Sequence, residues 1–255
     1  MTRATIVVAC HNEERRLPVA AFEAFVPAHP DVGFVLVNDG SEDGTGAALR
    51  ALERLAPERV CVVDLPRNVG KAEAIRRGLA RAFALEPAYA GFWDADLATP
   101  LEAIPEFCAL LDTHPRIEMV FGSRVQLLGR RIRRRAWRHY LGRVAATAIS
   151  LALDLRVYDT QCGAKLFRAT PAIRALFDEP FASRWLFDVE IVARLIAARR
   201  GRALPQAADV IYELPLMRWE DVGGSKIGPW DYLRGAVDLV RIHRRYLRNV
   251  LPASR

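Results

Sequence analysis

The feature that most constrains the fold is the regular alternation of short apolar runs with helical patterns in the first half of the chain. The apolar runs lie at residues 5–10, 33–37, 60–63, 91–93 and 119–121. Helical patterns separate them at residues 13–25, 43–55, 71–85 and 101–111. Strands and helices that alternate in this way form right-handed βαβ units, which build a parallel sheet covered on both faces. We therefore predict an α/β fold with a mostly parallel central sheet and helices on both faces.

The second half of the chain follows a different pattern. Residues 130–153 have the spacing of one or two helices, in which four arginines share one face. An apolar stripe follows and fits either a core helix or a helix on a membrane surface, and the basic flank slightly favours the membrane surface. The arginines are Arg131, Arg134, Arg135 and Arg138, and the stripe is Leu141, Val144, Ala145, Ala148, Leu151 and Leu155.

Beyond this segment, the sequence predicts strands at residues 164–167 and 209–213 and helices at 187–199 and 230–248. The chain contains no internal repeat and no clear linker. A length of 255 residues fits one large domain or two small ones. We therefore expect a single domain over residues 1–255 with a helical elaboration at its C-terminal end.

The positive charge of the chain is concentrated in one segment. Of a net charge of +7, the excess comes from eight arginines that lie between Glu118 and Asp154, where no acidic residue occurs. A localised basic patch binds phosphates or an anionic membrane face, although most charge runs are simply solvated helix surfaces. We expect the segment from Arg130 to Arg143 to contact an anionic membrane surface.

Targeting and redox features are few. The N-terminus lacks the pattern of a signal peptide, and no run approaches the roughly 20 apolar residues of a membrane span. The four cysteines lie far apart, without metal-ligand or redox spacing, so we expect them to be reduced and mostly buried. These observations predict a cytoplasmic protein that associates peripherally with the inner face of the membrane.

Two aspartates, Asp94 and Asp96, follow the apolar run at residues 90–93. Residues two apart on a strand point to one face, and burying a bare pair of carboxylates is costly. Oxygen ligands of this kind suit Mg²⁺ or Mn²⁺, which commonly carry a phosphorylated substrate. A turn that uses both side chains as caps is the structural alternative. We predict a metal site that serves a diphosphate.

Other polar clusters fall at the same predicted edge of the sheet, where ligands bind in open α/β folds. His11 and Glu13 follow the first strand, and Asn38 and Asp39 follow the second. The cluster at Asn38 and Asp39 would either bind a nucleotide or form an Asx turn. Lys71 begins a helix whose amide groups attract anions. The spacing of a P-loop is absent, and so is the G-x-G-x-x-G of a dinucleotide site.

Two loops and one helix in the second half carry further candidates. The loop 159–165 fits either an anionic acceptor site or a structural turn at Gly163, and the loop 223–226 fits either a substrate-closing loop or a plain surface loop. Asp188 and Glu190 lie on the helix at 187–199, and two residues apart they do not share a helical face. We therefore do not pair them as acid and base.

Taken together, these motifs resemble those of the inverting family 2 glycosyltransferases, which have the GT-A fold. Within that family the chain is most similar to the polyprenyl-phosphate branch and to its dolichyl-phosphate β-glucosyltransferases. The residues that carry the resemblance are 37–45, 68–71, 94–99, 122–124, 159–167, 184–190 and 219–226. Asn38 departs from the aspartate that is usual there, and Ala98 departs from the glutamine of the mannose-transferring type.

The resemblance implies a GT-A fold, with a Rossmann-like nucleotide-sugar-binding half over residues 1–125 and an acceptor-binding half over 126–255. It implies a set of roles that we treat as expectations. The residues expected to bind the nucleotide are Ala9, His11, Glu13, Asn38, Asp39, Lys71 and Asp94. Those expected to bind the metal are Asp94 and Asp96, and those expected to act in catalysis are Asp94, Asp96 and Arg124. Those expected to bind the acceptor or its phosphate are Arg124, Gln161, Lys165, Ser225 and Lys226.

The implied reaction is transfer of glucose from UDP-glucose to a polyprenyl phosphate, with Mg²⁺ or Mn²⁺ as cofactor. Two enzymatic alternatives stay open: another nucleotide sugar such as GDP-mannose, and a hydroxyl acceptor that would require Asp188 or Glu190 as a base. A non-enzymatic alternative is a basic module that binds membranes or nucleic acid. The intact aspartate motif argues against that module, and we expect no nucleic-acid partner.

Overall fold

The computed structural model describes residues 2–133, 136–221 and 229–248, with the side chains of 133–141 and 229–233 outside that description. Its centre is a seven-stranded sheet in the order β3-β2-β1-β4-β7-β5-β8. The strands are β1 Ala4–Cys10, β2 Val32–Asp39, β3 Val60–Leu65, β4 Tyr89–Asp94, β5 Met119–Ser123, β7 Lys165–Arg168 and β8 Ile211–Pro215. A separate pair joins β6 Arg131–Arg133 to β9 Arg218–Glu220.

Eight of the described α-helices lie in the connections between these strands, and α9 follows the last strand. They are α1 Val19–Ala28, α2 Thr45–Leu55, α3 Lys71–Phe83, α4 Ile104–Thr113, α5 Ala136–Leu153, α6 Pro171–Arg174, α7 Phe187–Arg199, α8 Ala207–Val210 and α9 Pro229–Ile242. A π-helical turn, His243–Leu247, continues α9. No helix in the described ranges is long and apolar enough to cross a bilayer.

Two apolar layers hold the helices to the sheet. Alternate residues of the strands point to opposite faces, so Val7 and Ile6 of β1 belong to different layers. One layer packs against α3 and α7, and the other packs against α1, α2 and α4. These buried faces explain why the strand sequences are apolar at nearly every position. The prediction of an α/β fold with helices on both faces is confirmed.

The sheet is parallel except at β7, which runs antiparallel to both of its neighbours, β4 and β5. The strand order therefore departs from the chain order beside β4, which creates a crevice at the carboxyl ends of the parallel strands. β1, β2, β4 and β5 all end at this edge, and β7 begins there. The polar clusters at these strand ends are thereby brought together.

Several predicted boundaries were wrong for identifiable reasons. The helix predicted at 13–25 begins only at Val19, because the amides of Glu13 and Glu14 donate instead to the side chains of Thr45 and Asp43. The strand predicted from residue 209 begins at Ile211, because the residues before it form the short helix α8.

The basic segment also differs from its prediction. Arg131 lies in β6 rather than on a helix, because its strand pairs with β9, which is distant in sequence. Of the predicted stripe, Val144, Ala148 and Leu151 are exposed on α5, whereas Ile149 and Leu153 face the core. Leu155, at the end of the stripe, packs against the core, so only part of the stripe fits the interpretation as a core face. Arg134 and Arg135 lie outside the described residues, as do the side chains of Arg138 and Leu141.

Candidate functional site

The two aspartates of the predicted metal site lie at the centre of the crevice. Asp94 is the last residue of β4, and its side chain is 32% exposed. Asp96 follows two residues later in a turn, and its side chain is 21% exposed. The ammonium of Lys71, at the start of α3, contacts Asp94 Oδ1. Arg16 Nη2 lies 2.9 Å from Asp96 Oδ2.

The electrostatics of the two carboxyl groups differ. Burial acts to raise the pKa of Asp94, but the charge of Lys71 outweighs it and holds that pKa below its usual value. The pKa of Asp96 is raised, first by burial and then by the negative charge of Asp94. The amide of Ala98 donates to Asp96 Oδ1 over 3.2 Å and opposes this effect. Asp96 therefore has less compensating positive charge than Asp94.

These aspartates fit a divalent cation of the Mg²⁺ type. Mg²⁺ keeps several waters and is usually held by one or two carboxylates together with phosphate oxygens of the substrate, not by a full cage of protein ligands. The described residues contain no group of three or more His, Cys, Asp or Glu side chains arranged for a metal. The donor set of Asp94 and Asp96 thus suits a cation that arrives with a phosphorylated ligand.

Gly163 explains how Asp94 is accommodated. A Cβ atom at this position would overlap the Asp94 carboxylate, so only glycine permits this close approach. Gly163 therefore has the structural role that the sequence left open for its loop, while the loop itself lines the crevice. Gln161, in the same loop, is half-buried.

The predicted nucleotide residues surround the ends of β1 and β2. Ala9 pairs in register with Asp94 across β1 and β4. His11 Nδ1 lies 2.9 Å from the main-chain oxygen of Asp39. The buried Asp39 carboxylate accepts hydrogen bonds from the amides of Val69, at 2.7 Å, and Gly70, at 2.9 Å. Asp39 thus fixes the loop that leads into Lys71.

Two further members of this set have mainly local contacts. Asn38 Oδ1 accepts from the amide of Ser41 over 3.1 Å, which is the Asx turn considered from the sequence. Its Nδ2 donates to Asp64. Glu13 lies beside Arg16, with 3.5 Å between Oε1 and Nη1. Their contacts with a nucleotide stay predictions.

Arg124 is held by a partner that the sequence did not reveal. Its guanidinium makes a two-point ion pair with Asp159, at 2.6 and 2.7 Å. Burial opposes the charge of Arg124, but Asp159 outweighs it and raises the pKa of the guanidinium. The ring of Trp219 lies 5.4 Å from its Cζ. Arg124 is therefore a permanent, fixed cation at the end of β5.

Lys165 lies beneath the crevice rather than at its surface. It is fully buried, and its ammonium contacts Asp188 Oδ1 at 2.6 Å and donates to the main-chain oxygen of Cys162 at 2.5 Å. The rings of Phe92 and Phe121 flank it, with centroids 5.2 and 5.1 Å away. A direct contact of Lys165 with an acceptor stays a prediction.

Asp188 and Glu190, the candidate bases for a hydroxyl acceptor, point to different surroundings. The pKa of Asp188 is raised by burial despite its contact with Lys165. Glu190 is fully buried and accepts hydrogen bonds from the amides of Ala182 and Ser183 and from Arg194. Glu190 therefore serves the structure of α7. Ser225 and Lys226 lie outside the described residues.

Sequence reasoning missed three contacts of the site: Arg16 with Asp96, Asp159 with Arg124, and Arg184 with the loop at Val69. Each joins residues at least 35 positions apart in the chain. No local pattern marks such pairs. The abundance of arginine beside acidic clusters of the sequence is the only signal that could have indicated them.

Comparisons with known proteins agree with this architecture. A family model described as Glycosyl transferase family 2 matches residues 5–175. The dolichyl-phosphate beta-glucosyltransferase of Drosophila melanogaster is 32% identical over 95% of this chain and 75% of its own length. The polyprenol monophosphomannose synthase of Mycolicibacterium smegmatis is 26% identical over 76% of this chain and 72% of its own length.

Among solved structures, one is the glucosyl-3-phosphoglycerate synthase of Mycobacterium tuberculosis in complex with Mn²⁺, UDP and glucosyl-3-phosphoglycerate. It superposes with a TM-score of 0.67 at 19% identity and covers 99% of this chain and 82% of that one. At this identity the likeness concerns the fold alone. The predicted GT-A fold is confirmed.

Proposed function

Because the chain belongs to glycosyl transferase family 2, we propose that it transfers glucose from UDP-glucose to a polyprenyl phosphate of the dolichyl type. The protein is a glycosyltransferase; its substrates are the proposal. The observation that carries them is the similarity to dolichyl-phosphate beta-glucosyltransferases over 95% of the chain. The crevice supports the same chemistry, since it combines an aspartate pair with fixed cations.

In this proposal Asp94 and Asp96 hold Mg²⁺ or Mn²⁺. A divalent cation bound there neutralises charge that develops on the leaving diphosphate. Lys71 binds the same diphosphate at the start of α3, where the helix amides also favour anions. The loop fixed by Asp39, together with His11, borders the nucleoside. The positions of these groups at one sheet edge support the assignment.

Arg124 holds the acceptor phosphate. Its guanidinium is immobilised by Asp159, so little ordering is required when an anion binds. The second pKa of a phosphate monoester is about 6, so the acceptor is largely a dianion at neutral pH. One of its oxygens attacks the anomeric carbon, the bond from that carbon to the diphosphate breaks, and UDP leaves. Attack from the opposite side inverts the configuration.

This reaction needs no general base, because the nucleophile is already ionised. The surroundings of the two candidate bases support this view, since Asp188 is paired with Lys165 and Glu190 is engaged inside α7. Transfer to a sugar or protein hydroxyl would instead require a free carboxylate beside the acceptor. The lipid phosphate is therefore the acceptor that these residues suit best.

The experiment that tests this function is transfer of labelled glucose in detergent with Mn²⁺ or Mg²⁺. We expect UDP-glucose and a polyprenyl phosphate to give a lipid-linked product with the β configuration. GDP-mannose and unphosphorylated polyprenol are the matched controls, and both should give little product. Efficient transfer to water-soluble hydroxyl acceptors, with none to lipid phosphate, would contradict the proposal.

We further propose that the enzyme associates peripherally with anionic membranes. A surface of α9 and its neighbourhood, here called the C-terminal surface, consists of Trp185, Val237, Val240, Arg241 and Arg244. Both valines are 52% exposed. An exposed tryptophan and valines beside arginines suit the boundary between headgroups and acyl chains. The predicted contact through the segment from Arg130 to Arg143 stays a second candidate.

Introducing glutamate at both valines should weaken sedimentation with vesicles that contain phosphatidylglycerol. Each half-exposed valine contributes about 1 kcal/mol when it inserts, so Val237→Glu with Val240→Glu should reduce binding by about tenfold or more. Leu204→Glu, at an exposed leucine in the loop between α7 and α8, is the control and should bind like the unmodified protein. Equal binding by the double variant and the control would show that this surface is not the contact.

A further inference from the structure

Both aspartates of the proposed metal site form ion pairs with basic side chains of the protein in this structure. Lys71 contacts Asp94, and Arg16 contacts Asp96 at 2.9 Å. A divalent cation that binds these carboxylates meets two positive charges within a few ångströms. Like charges at such distances repel strongly in a partly buried site. Lys71 and Arg16 must therefore move away from the carboxylates when the divalent cation binds.

Arg16 is built to make this movement with its side chain alone. Its backbone belongs to a tight turn in which the amides of Arg16 and Leu17 both donate to the main-chain oxygen of Glu13, at 2.8 and 2.7 Å. The side chain of Leu17 is buried and anchors the turn. The side chain of Arg16, in contrast, is 30% exposed, and its buried Nε has no hydrogen-bond partner among the described residues. The turn thus fixes the origin of the side chain but leaves its charged end free to change partner.

We propose that Arg16 and Lys71 are exchangeable counter-ions of the aspartate pair. In the absence of a donor they neutralise Asp96 and Asp94. When the divalent cation takes the carboxylates, both side chains transfer to the diphosphate of the nucleotide. Arg16, which no earlier step of the reaction uses, is therefore a positioning residue that couples metal binding to nucleotide binding.

The coupling follows from counting charges. A divalent cation that binds alone must displace two cations, of which Arg16 keeps only Glu13, at 3.5 Å, as an anionic neighbour in the described part of the chain. A nucleoside diphosphate that binds alone adds negative charge beside two carboxylates. When both bind, every charge has a partner. Each ligand therefore strengthens the binding of the other by the same factor. This inference rests on the proposed function only in requiring a nucleoside diphosphate at the site.

The test is to titrate the 255-residue chain with Mn²⁺ and to follow free Mn²⁺ by electron paramagnetic resonance, with and without UDP. Arg16→Gln removes the counter-ion of Asp96. We expect this variant to bind Mn²⁺ alone about two- to fivefold more tightly, because a partly exposed ion pair that competes with the metal contributes only modestly. It should bind UDP more weakly without metal, and the factor by which UDP tightens Mn²⁺ binding should fall.

Two further variants make the test decisive. Arg15→Gln removes the neighbouring, exposed arginine and should leave every affinity unchanged. Lys71→Gln should tighten the binding of Mn²⁺ alone for the same reason as Arg16→Gln, and it tests the idea independently if the first variant does not fold. Unchanged or weaker binding of Mn²⁺ alone by the folded Arg16 or Lys71 variants overturns the proposal.

A failure of the proposed function would be seen in a different measurement, the binding of UDP by the unmodified protein. If the unmodified protein binds no UDP with or without Mn²⁺, the donor assignment is wrong. The titration with Mn²⁺ alone still decides whether Arg16 and Lys71 compete with the metal for the aspartates. The two inferences are therefore contradicted by separate measurements on the same samples.

Discussion

Replacing Asp96 by asparagine should lower the rate of glucosyl transfer about a hundred- to a thousandfold, which corresponds to roughly 3–4 kcal/mol of lost transition-state stabilisation. The amide keeps the shape of the side chain but removes the negative charge that holds the divalent cation. Without that cation, the charge developing on the diphosphate is neutralised only by side chains such as Lys71. The measurement is the initial rate at saturating Mn²⁺, together with the affinity for Mn²⁺ in the presence of UDP.

The same variant should not unfold more easily. The pKa of Asp96 is raised in the folded protein, so at neutral pH its ionised form is less favourable there than in the unfolded chain. A neutral asparagine avoids this cost. Without metal, the thermal midpoint of unfolding of the Asp96→Asn variant should therefore equal or exceed that of the unmodified protein. Glu102→Gln, an exposed acidic residue in the next turn, is the control. A variant at Asp96 that retains more than a tenth of the activity would exclude the metal role.

The architecture could be predicted because it depends on patterns that repeat along the chain. The strands β1, β2 and β4 are buried on both faces, so nearly all their residues are apolar and easy to recognise. Helix α7 was predicted with its observed bounds because its first and last residues are flanked by clear changes in pattern. The direction of β7 was not predictable, because an isolated strand sequence does not say which neighbour it pairs with.

Errors arose where a distant partner decides the local conformation. Residues 131–133 have the spacing of a helix but pair with β9, more than 80 positions later. Intrinsic helical preference is weak and is readily overridden by such contacts. The same reason explains the start of α1, where the side chains of Asp43 and of Thr45, the first residue of α2, hold the backbone of Glu13 and Glu14 in a turn.

The candidate site likewise contains some features that could be predicted from local sequence and others that depend on distant partners. The aspartate pair could be predicted, because the end of an apolar strand and the spacing of two carboxylates are local signals. The counter-ions could not, because Arg16 lies 80 residues from Asp96 and Asp159 lies 35 from Arg124. A sequence shows which charges exist, whereas only the fold shows which of them neutralise one another.

Replacing Lys165 by methionine should destabilise the fold by about 3–5 kcal/mol, because it leaves the buried carboxylate of Asp188 without its ion-pair partner. Methionine fits the space between Phe92 and Phe121, so loss of packing contributes little. The measurement is the free energy of unfolding in urea. Arg218→Met, which removes an exposed pair with Glu220, is the control and should cost less than about 1 kcal/mol.

The double variant Lys165→Met with Asp188→Leu separates the stability of the pair from its role in the site. Two apolar side chains can replace a buried ion pair at little or no cost, so stability should largely return. Activity should not return, because Lys165 also holds the Cys162 main chain, and with it the loop in which Gly163 packs against Asp94. Its charge also helps to keep the pKa of Asp94 low. A double variant that is both stable and fully active would mean that the pair only fills the core. One that is stable but slow would mean that a buried charge positions the aspartates from below.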